Sequence, residues 1–378
     1  MKKQIDLLIF AKSIDGGTGK FVDDLYKNLS SFFNIYVVCL EKPQYRKNFL
    51  KNGVFFHPVG FFPLKYKLNL KNIICFIWEI FKLKNVLSSS HSSVVLSVDL
   101  HCNLLALINK LLFCPKLKVI NTTHINLTET IKSKSSHFLN LLLIKTVGFF
   151  YNRSDVLISI SKGVAQNLRT SFLIKKPIKV VYYGISSIEN LNRKYINDKN
   201  IIISIGRLVE QKNFQLLIKT YYHVQKILPN SILIIIGDGP MKQKLINLIN
   251  TLKLNKKVRI LGWKNNVEQY LQKSGVFVLS SKREGLSYVI LEAMKNGLPV
   301  ISTTCYSGPS EILENGRYGI LVPVGDEKKL AKEIVALLTN EKKYNYYAQK
   351  ALERSRYFSE NRMLNYYKEL IYDLVNSP

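Results

Sequence analysis

Short apolar runs rich in Ile, Val and Leu recur along the chain, and most end in polar or glycine residues. In the first half they are Ile5 to Phe10, Asn34 to Leu40, Val94 to Val98, Leu117 to Asn121, Asp155 to Ser161 and Lys179 to Tyr182. In the second half they are Ile201 to Ile205, Ile232 to Ile236, Val258 to Leu261, Val276 to Leu279 and Pro299 to Ser302. Continuous rather than alternating apolar character marks strands covered on both faces. The segments between them carry apolar residues at helical spacing. In Phe214 to Leu228, for example, Phe214, Leu217, Ile218, Tyr221 and Val224 share one face. Strands alternating with helices predict an α/β protein with parallel, doubly wound sheets. Ser186 to Asn200 is polar, dominated by Asn and Lys, and predicts the join between two domains, residues 1–185 and 190–358. A last helix, about 360–378, follows a complete second domain. Its stripe of Tyr366, Tyr367 and Tyr372 needs a partner surface, expected on the first domain.

One helix stands apart. Asn69 to Leu87 sets Ile73, Ile74, Ile77, Ile80 and Phe81 at helical spacing, with Lys65, Lys67, Lys71, Lys82 and Lys84 around them. An apolar face rimmed by lysines suits the surface of an anionic membrane. The same stripe also reads as a core helix with a solvated face.

With 378 residues, each half can bury a sizeable core. The formal charge of +29 reads either as attraction to anionic partners or as a compositional bias toward Lys, Asn and Ile. Nucleic acid is not favoured, because Lys greatly outnumbers Arg, aromatics and Arg are not interleaved, and no basic tail exists. The five cysteines are odd in number and form no C-x-x-C pair, which argues for reduced thiols rather than a disulfide framework or structural zinc. The apolar run of MKKQIDLLIF is too short for a signal peptide, and no apolar stretch is long enough to span a bilayer. A cytoplasmic protein, peripheral on the inner face of the cytoplasmic membrane, is the expected location.

Candidate chemistry collects where strands give way to helices. Asp15-Gly16-Gly17-Thr18-Gly19-Lys20 follows the first strand; its glycines let a ligand approach the backbone, though it is neither a Walker loop nor G-x-G-x-x-G. Asp99 and His124 each follow a strand directly. After Ile205 comes Gly206-Arg207-Leu208-Val209-Glu210-Gln211-Lys212-Asn213, two cations before a helix with Asn213 as its expected N-cap. Cations beside a helix N-terminus at the open end of a parallel sheet form a diphosphate site. In SSKREGLSYVILEAMKNGLPVI, Glu284 lies in a strand-to-helix loop, Ser287 is the expected N-cap, Glu292 falls just inside the helix and Gly297 ends it.

Together, GRLVEQKN, IIGDGP, SSKREGLSYVILEAMKNGLPVI and SGPSEILENGRYGILVPVGD resemble glycosyltransferase family 4, the retaining, nucleotide-sugar-dependent enzymes. The resemblance covers nearly all of the second half and, more loosely, GGTGK, TTH and ISIS of the first. It implies the GT-B architecture, two Rossmann-like doubly wound domains facing across a cleft. It implies catalytic roles for Glu284 at the donor sugar, for His124 beside it, and for Arg207 and Lys212 on the donor diphosphate. Glu292 would bind the ribose, the amides of Leu286 and Ser287 the phosphate, and Gly16 and Gly17 would shape the facing wall. Gly285, Gly239 and Asp99 complete the expected substrate contacts. The family's Asn before Gly184 is replaced by Tyr183, which receives no role. With no D-x-D motif, neither a metal nor a cofactor is expected. The donor is expected to be a UDP-sugar, of galactose or N-acetylhexosamine type from the Ser307 to Glu311 segment, and the acceptor a lipid-linked saccharide. A non-catalytic basic membrane- or nucleic-acid-binding protein would account for the charge but not for the paired motifs; a GT-B sugar-nucleotide epimerase is the nearer rival.

Overall fold

The computed structural model describes residues 5–41, 70–132, 137–186 and 198–376. Among them, twelve strands build two separate six-stranded sheets, and every ladder in both is parallel. The chain divides into two compact units, Met1–Tyr182 with Asn361–Pro378, and Tyr183–Glu360.

The first unit holds β1 (Ile5–Ala11), β2 (Phe33–Cys39), β3 (Val94–Val98), β4 (Lys118–Thr123), β5 (Val156–Ser159) and β6 (Ile178–Val180), in spatial order β2-β1-β3-β4-β5-β6. The second holds β7 (Asp198–Ile205), β8 (Ile232–Ile236), β9 (Val258–Ile260), β10 (Ser274–Leu279), β11 (Val300–Thr303) and β12 (Ile320–Val322), in order β12-β11-β10-β7-β8-β9. Helices link parallel neighbours because a parallel return needs a crossover. Every residue of β3 and β10 is buried, as continuous apolar runs require. In each sheet the strand order reverses beside the first strand, between β1 and β3 and between β7 and β10. Such switch points open a crevice at the carboxyl ends of the strands.

Three differences from the sequence pattern have physical causes. The strand β12 went unforeseen: its three residues, between Gly319 and Pro323, are too few to show a period. The first three residues of β7 lie inside the segment read as linker; residues 187–197 of that segment lie outside the described residues. Tyr183 to Ile185, assigned to the first domain by sequence, group with the second unit. The Tyr183 ring packs 5.2 Å from that of Tyr288, whose hydroxyl donates to the Gly184 carbonyl at 2.7 Å, and Ile185 bridges to Ser359.

The C-terminal helix Glu360–Asn376 belongs to the first unit apart from its opening residue. Tyr367 is fully buried with its ring edge against Phe21, and the Tyr372 ring lies tilted against Phe33, 5.1 Å between centres. The helix α1 (Gly16–Leu29) and β2 thus supply the rings, Phe21 and Phe33, that meet this tyrosine stripe.

The helix α2 (Leu70–Ser90) divides the two readings of its stripe. Leu83, Val86 and Leu87 enter the core and Ile80 packs against it, whereas Ile74, Ile77, Trp78 and Phe81 stand exposed. Lys65, Lys67 and Asn69 lie outside the described residues, as does the side chain of Ile73. No described helix is long and apolar enough to cross a membrane.

Candidate active site

In the second unit, β7 and β10 are neighbours at the switch point, and the loops leaving their carboxyl ends are stitched together. The Lys282 N–H donates to the Gln211 carbonyl at 2.8 Å, Gln211 Nε2 to the Arg283 carbonyl at 2.9 Å, and Ser280 Oγ to the Lys212 carbonyl at 3.0 Å. These bonds bring Lys212 Nζ to 2.6 Å from Glu284 Oε1. Ser281 Oγ donates to the same oxygen at 2.6 Å, and Ser307 Oγ holds the Glu284 backbone carbonyl at 2.6 Å. Glu284 is 7% exposed, so its charge is compensated by a cation and a hydroxyl rather than by bulk water. Arg207 lies five residues before Lys212, exposed, and its guanidinium makes no ion pair with any described residue. Cys305 sits beside this carboxylate, donating to the Ser281 carbonyl at 3.2 Å. Burial, reinforced by the Glu284 charge, pushes its thiol up to about 12, so it is a neutral packing group and not a nucleophile.

The helix Tyr288–Lys295 starts at the end of the Glu284 loop. Ser287 occupies the N-cap position as the sequence predicts, yet its hydroxyl does not cap; Ser287 Oγ is buried without a hydrogen-bond partner in the described structure. A buried hydroxyl with no partner, at the positive end of a helix, fits an anionic ligand. Gly285 and Leu286 are buried beside it, and Glu292 is half-buried in the second turn. Asn213 corrects a second capping expectation. It stands at the N-cap of the helix Phe214–Ile227 in a left-handed conformation (φ 50°) and its side chain accepts no cap bond; its carbonyl receives the Leu216 N–H instead. Gly239 has a packing role that the sequence did not reveal. Its φ is +155°, and a Cβ there would lie 2.6 Å from the Leu208 carbonyl oxygen. The turn it belongs to backs the Arg207 loop, with the Leu208 N–H donating to Asp238 and the Met241 N–H to Leu208.

In the first unit the corresponding crevice lies between β1 and β3. Gly16 and Gly17 open α1 and are exposed. The third glycine of that motif, Gly19, packs so closely on Ile14 that a Cβ would lie 1.7 Å from its carbonyl oxygen. Asp99 precedes the helix α3 (Leu100–Leu112) at φ 77° and ψ 155°, a conformation costly for any residue but glycine.

His124 follows β4 and is buried, with its ring 5.0 Å from that of Phe21. Thr122 Oγ1 has one hydrogen, and the Ser97 carbonyl at 2.9 Å can only accept it. Thr122 therefore accepts from His124 Nε2 at 2.8 Å, which selects the Nε2–H tautomer. Burial lowers the His124 pKa to about 3, so the ring is neutral at physiological pH. The predicted site residues thus form two groups, one in each unit.

The pattern of the family described as Glycosyl transferases group 1 matches residues 187–354, and that of Glycosyltransferase Family 4 matches residues 15–187. An uncharacterized glycosyltransferase of Methanocaldococcus jannaschii is 31% identical over 297 residues, covering 67% of this chain and 73% of that protein. This chain is a family 4 glycosyltransferase. The N-acetylgalactosamine-N,N'-diacetylbacillosaminyl-diphospho-undecaprenol 4-alpha-N-acetylgalactosaminyltransferase of Campylobacter jejuni is 30% identical over 62% of this chain and 64% of its own length. The fold of Anabaena HepE, solved in complex with UDP, superimposes with a TM-score of 0.74 at 18% identity, covering 98% of this chain and 100% of that one. The two parallel sheets are thus the Rossmann-like domains of a GT-B glycosyltransferase.

Three residues of the glycosyltransferase lie in the quoted motifs but make contacts that the sequence did not assign. Ser281 stands three positions before Glu284 in the quoted motif, a spacing from which its bond to the carboxylate was recoverable. Ser307 and Thr122 act through backbone and ring contacts that only the folded sheet creates.

Proposed function

We propose that this glycosyltransferase moves a hexose or N-acetylhexosamine from a UDP-sugar to a lipid-linked saccharide, with retention of anomeric configuration, in the assembly of a surface polysaccharide. The observation that carries the reading is the Lys212–Glu284 pair, formed between loops that leave adjacent strands, with exposed Arg207 five residues before Lys212 in the same loop. In the proposed complex, Arg207 and Lys212 meet the diphosphate, and the amides of Leu286 and Ser287 cap it with the buried Ser287 hydroxyl. Glu292 holds the ribose. Glu284, fixed by Lys212 and Ser281, presents its carboxylate at the sugar, and Gly285 leaves the loop close to the ligand.

Cleavage of the sugar–phosphate bond sends its electron pair to the diphosphate and leaves positive charge on the anomeric carbon. Fixed cations at the diphosphate stabilise the departing charge, commonly the largest electrostatic contribution to such a step. The acceptor oxygen forms the new bond on the face the diphosphate leaves, and its proton passes to the departing phosphate oxygen. Lys212 also separates two anions, Glu284 and the diphosphate, that would otherwise repel. On this reading the cations do the work of a divalent metal. Within the first unit, His124, held neutral, would offer a hydrogen-bonding group without adding charge, and Asp99, Gly16 and Gly17 stand at the carboxyl ends of β3 and β1.

The UDP complex of HepE supports the choice of nucleotide, and the diphospho-undecaprenol acceptor in the name of the Campylobacter relative supports a lipid-linked acceptor. The +29 charge favours a peripheral position on the anionic inner face of the cytoplasmic membrane. The test is calorimetric and enzymatic together. Saturating UDP raises the melting temperature, and UDP is released from a UDP-sugar only when a lipid-linked acceptor is supplied. Absence of any nucleotide-dependent shift overturns the reading; release of UDP without an acceptor assigns the site to hydrolysis, and conversion of the UDP-sugar to its epimer with no UDP released assigns it to epimerisation.

A further inference from the structure

The helix α2 buries one face and leaves the other apolar face bare. Ile74, Ile77, Trp78 and Phe81 fall at i, i+3, i+4 and i+7, and are 57%, 48%, 45% and 50% exposed. The end of α3 extends this stripe. Phe113, which follows exposed Leu111 and Leu112, has its ring 5.6 Å from that of Phe81. Contiguous large apolar groups in water carry a free-energy cost that a soluble helix ordinarily avoids by burying them.

The charged groups seated on the patch's rings are lysines. Lys82 Nζ sits 3.3 Å from the centre of the Trp78 ring, and Lys84 Nζ 4.7 Å from that of Phe113. Glu79, the one acidic residue of α2, is turned inward, 2% exposed, and bonded to His101 Nε2 at 2.7 Å. The exposed face therefore presents aromatic and aliphatic groups with lysines beside them and no carboxylate of its own helix. A second copy docking by two-fold symmetry would set this patch against itself, lysines against lysines. An anionic bilayer meets both halves of the pattern, since Trp settles at the lipid interface and lysines reach the headgroups.

We propose that the Ile74–Ile77–Trp78–Phe81 face of α2, with Leu111 and Leu112, is the surface by which this enzyme docks on an anionic lipid bilayer. This deepens the peripheral-membrane part of the proposed function and is independent of the nucleotide chemistry.

The chain's two tryptophans allow a direct readout. In Trp263→Phe, emission arises from Trp78 alone. Vesicles of phosphatidylcholine with phosphatidylglycerol shift that emission to the blue, and brominated acyl chains quench it. Ile77→Glu and Phe81→Glu, both at exposed positions, each weaken vesicle binding about tenfold or more. Lys82→Ala with Lys84→Ala weakens it about tenfold or more and lowers its salt dependence. Equal binding to phosphatidylcholine alone overturns the anionic commitment. An unshifted spectrum overturns the docking face, and a dimer that Ile77→Glu disperses assigns the patch to a second copy instead. The UDP-induced melting shift is retained in Ile77→Glu, so failure of the docking face and failure of the glycosyltransfer reading give different results.

Discussion

Lys212 Nζ lies 2.6 Å from Glu284 Oε1, although the two residues stand 72 positions apart in the chain. The pair is mostly buried, with the lysine side chain 18% and the carboxylate 6% exposed. Removing one partner leaves the other charge uncompensated. Glu284→Ala is expected to abolish glycosyl transfer while leaving a folded protein. Lys212→Ala loses transfer and about 2 kcal/mol of stability, because it strands the carboxylate. The double variant Lys212→Met, Glu284→Gln regains much of that stability and none of the activity. Denaturation curves beside initial rates decide the matter: a double variant as unstable as Lys212→Ala, or an active Glu284→Ala, contradicts the assignment.

Arg207 separates binding from folding. Its side chain is exposed and carries no ion pair in the described structure, so Arg207→Ala should change stability by no more than about 0.5 kcal/mol. The same change should remove the melting-temperature increase given by UDP. Retention of that increase would remove Arg207 from the diphosphate site.

His124 predicts an acid-sensitive fold. Its pKa is about 3 in the folded protein and near 6.5 when unfolded, so between those values the unfolded chain holds a proton that the folded chain does not. Stability is therefore intact above about pH 6.5 and falls on acidification, by up to about 1.4 kcal/mol per pH unit from this residue. In His124→Gln that part of the slope disappears, which thermal melts across pH 4.5 to 7 would reveal.

The tautomer of the same histidine is open to nitrogen NMR. The wild type should show a protonated Nε2 and an unprotonated Nδ1. Thr122→Val should disturb that state and lower kcat more than it raises KM, whereas Thr122→Ser should restore both. A protonated Nδ1 in the wild type contradicts the relay from Ser97 through Thr122.

Gly239→Ala tests whether that glycine is required by packing. At φ +155° and with Leu208 backbone only 2.6 Å from the new Cβ, the change should cost about 2 kcal/mol or more. It should also weaken UDP binding by shifting the loop that carries Arg207. Unchanged denaturation would show that the turn relaxes freely.

Much of this protein was legible from its sequence alone. Eleven of the twelve strands announced themselves as apolar runs, because a strand buried on both faces has to be apolar throughout. Arg207, Lys212 and Glu284 stood out because the loops after parallel strands converge wherever the sheet is doubly wound. The three-residue β12 stayed silent, since a period needs more positions than it has. Tertiary structure alone decided what touches what. It joined Lys212 to Glu284, left the Ser287 hydroxyl without its cap bond, and used Thr122 to select the His124 tautomer. It also turned Ile74, Ile77, Trp78 and Phe81 outward while Leu83 and Leu87 went in. Hydrophobic periodicity identifies a helix's apolar residues, but two apolar faces on one helix compete for a single core. Which face is buried depends on the neighbouring elements, and those are set by chain topology rather than by local sequence.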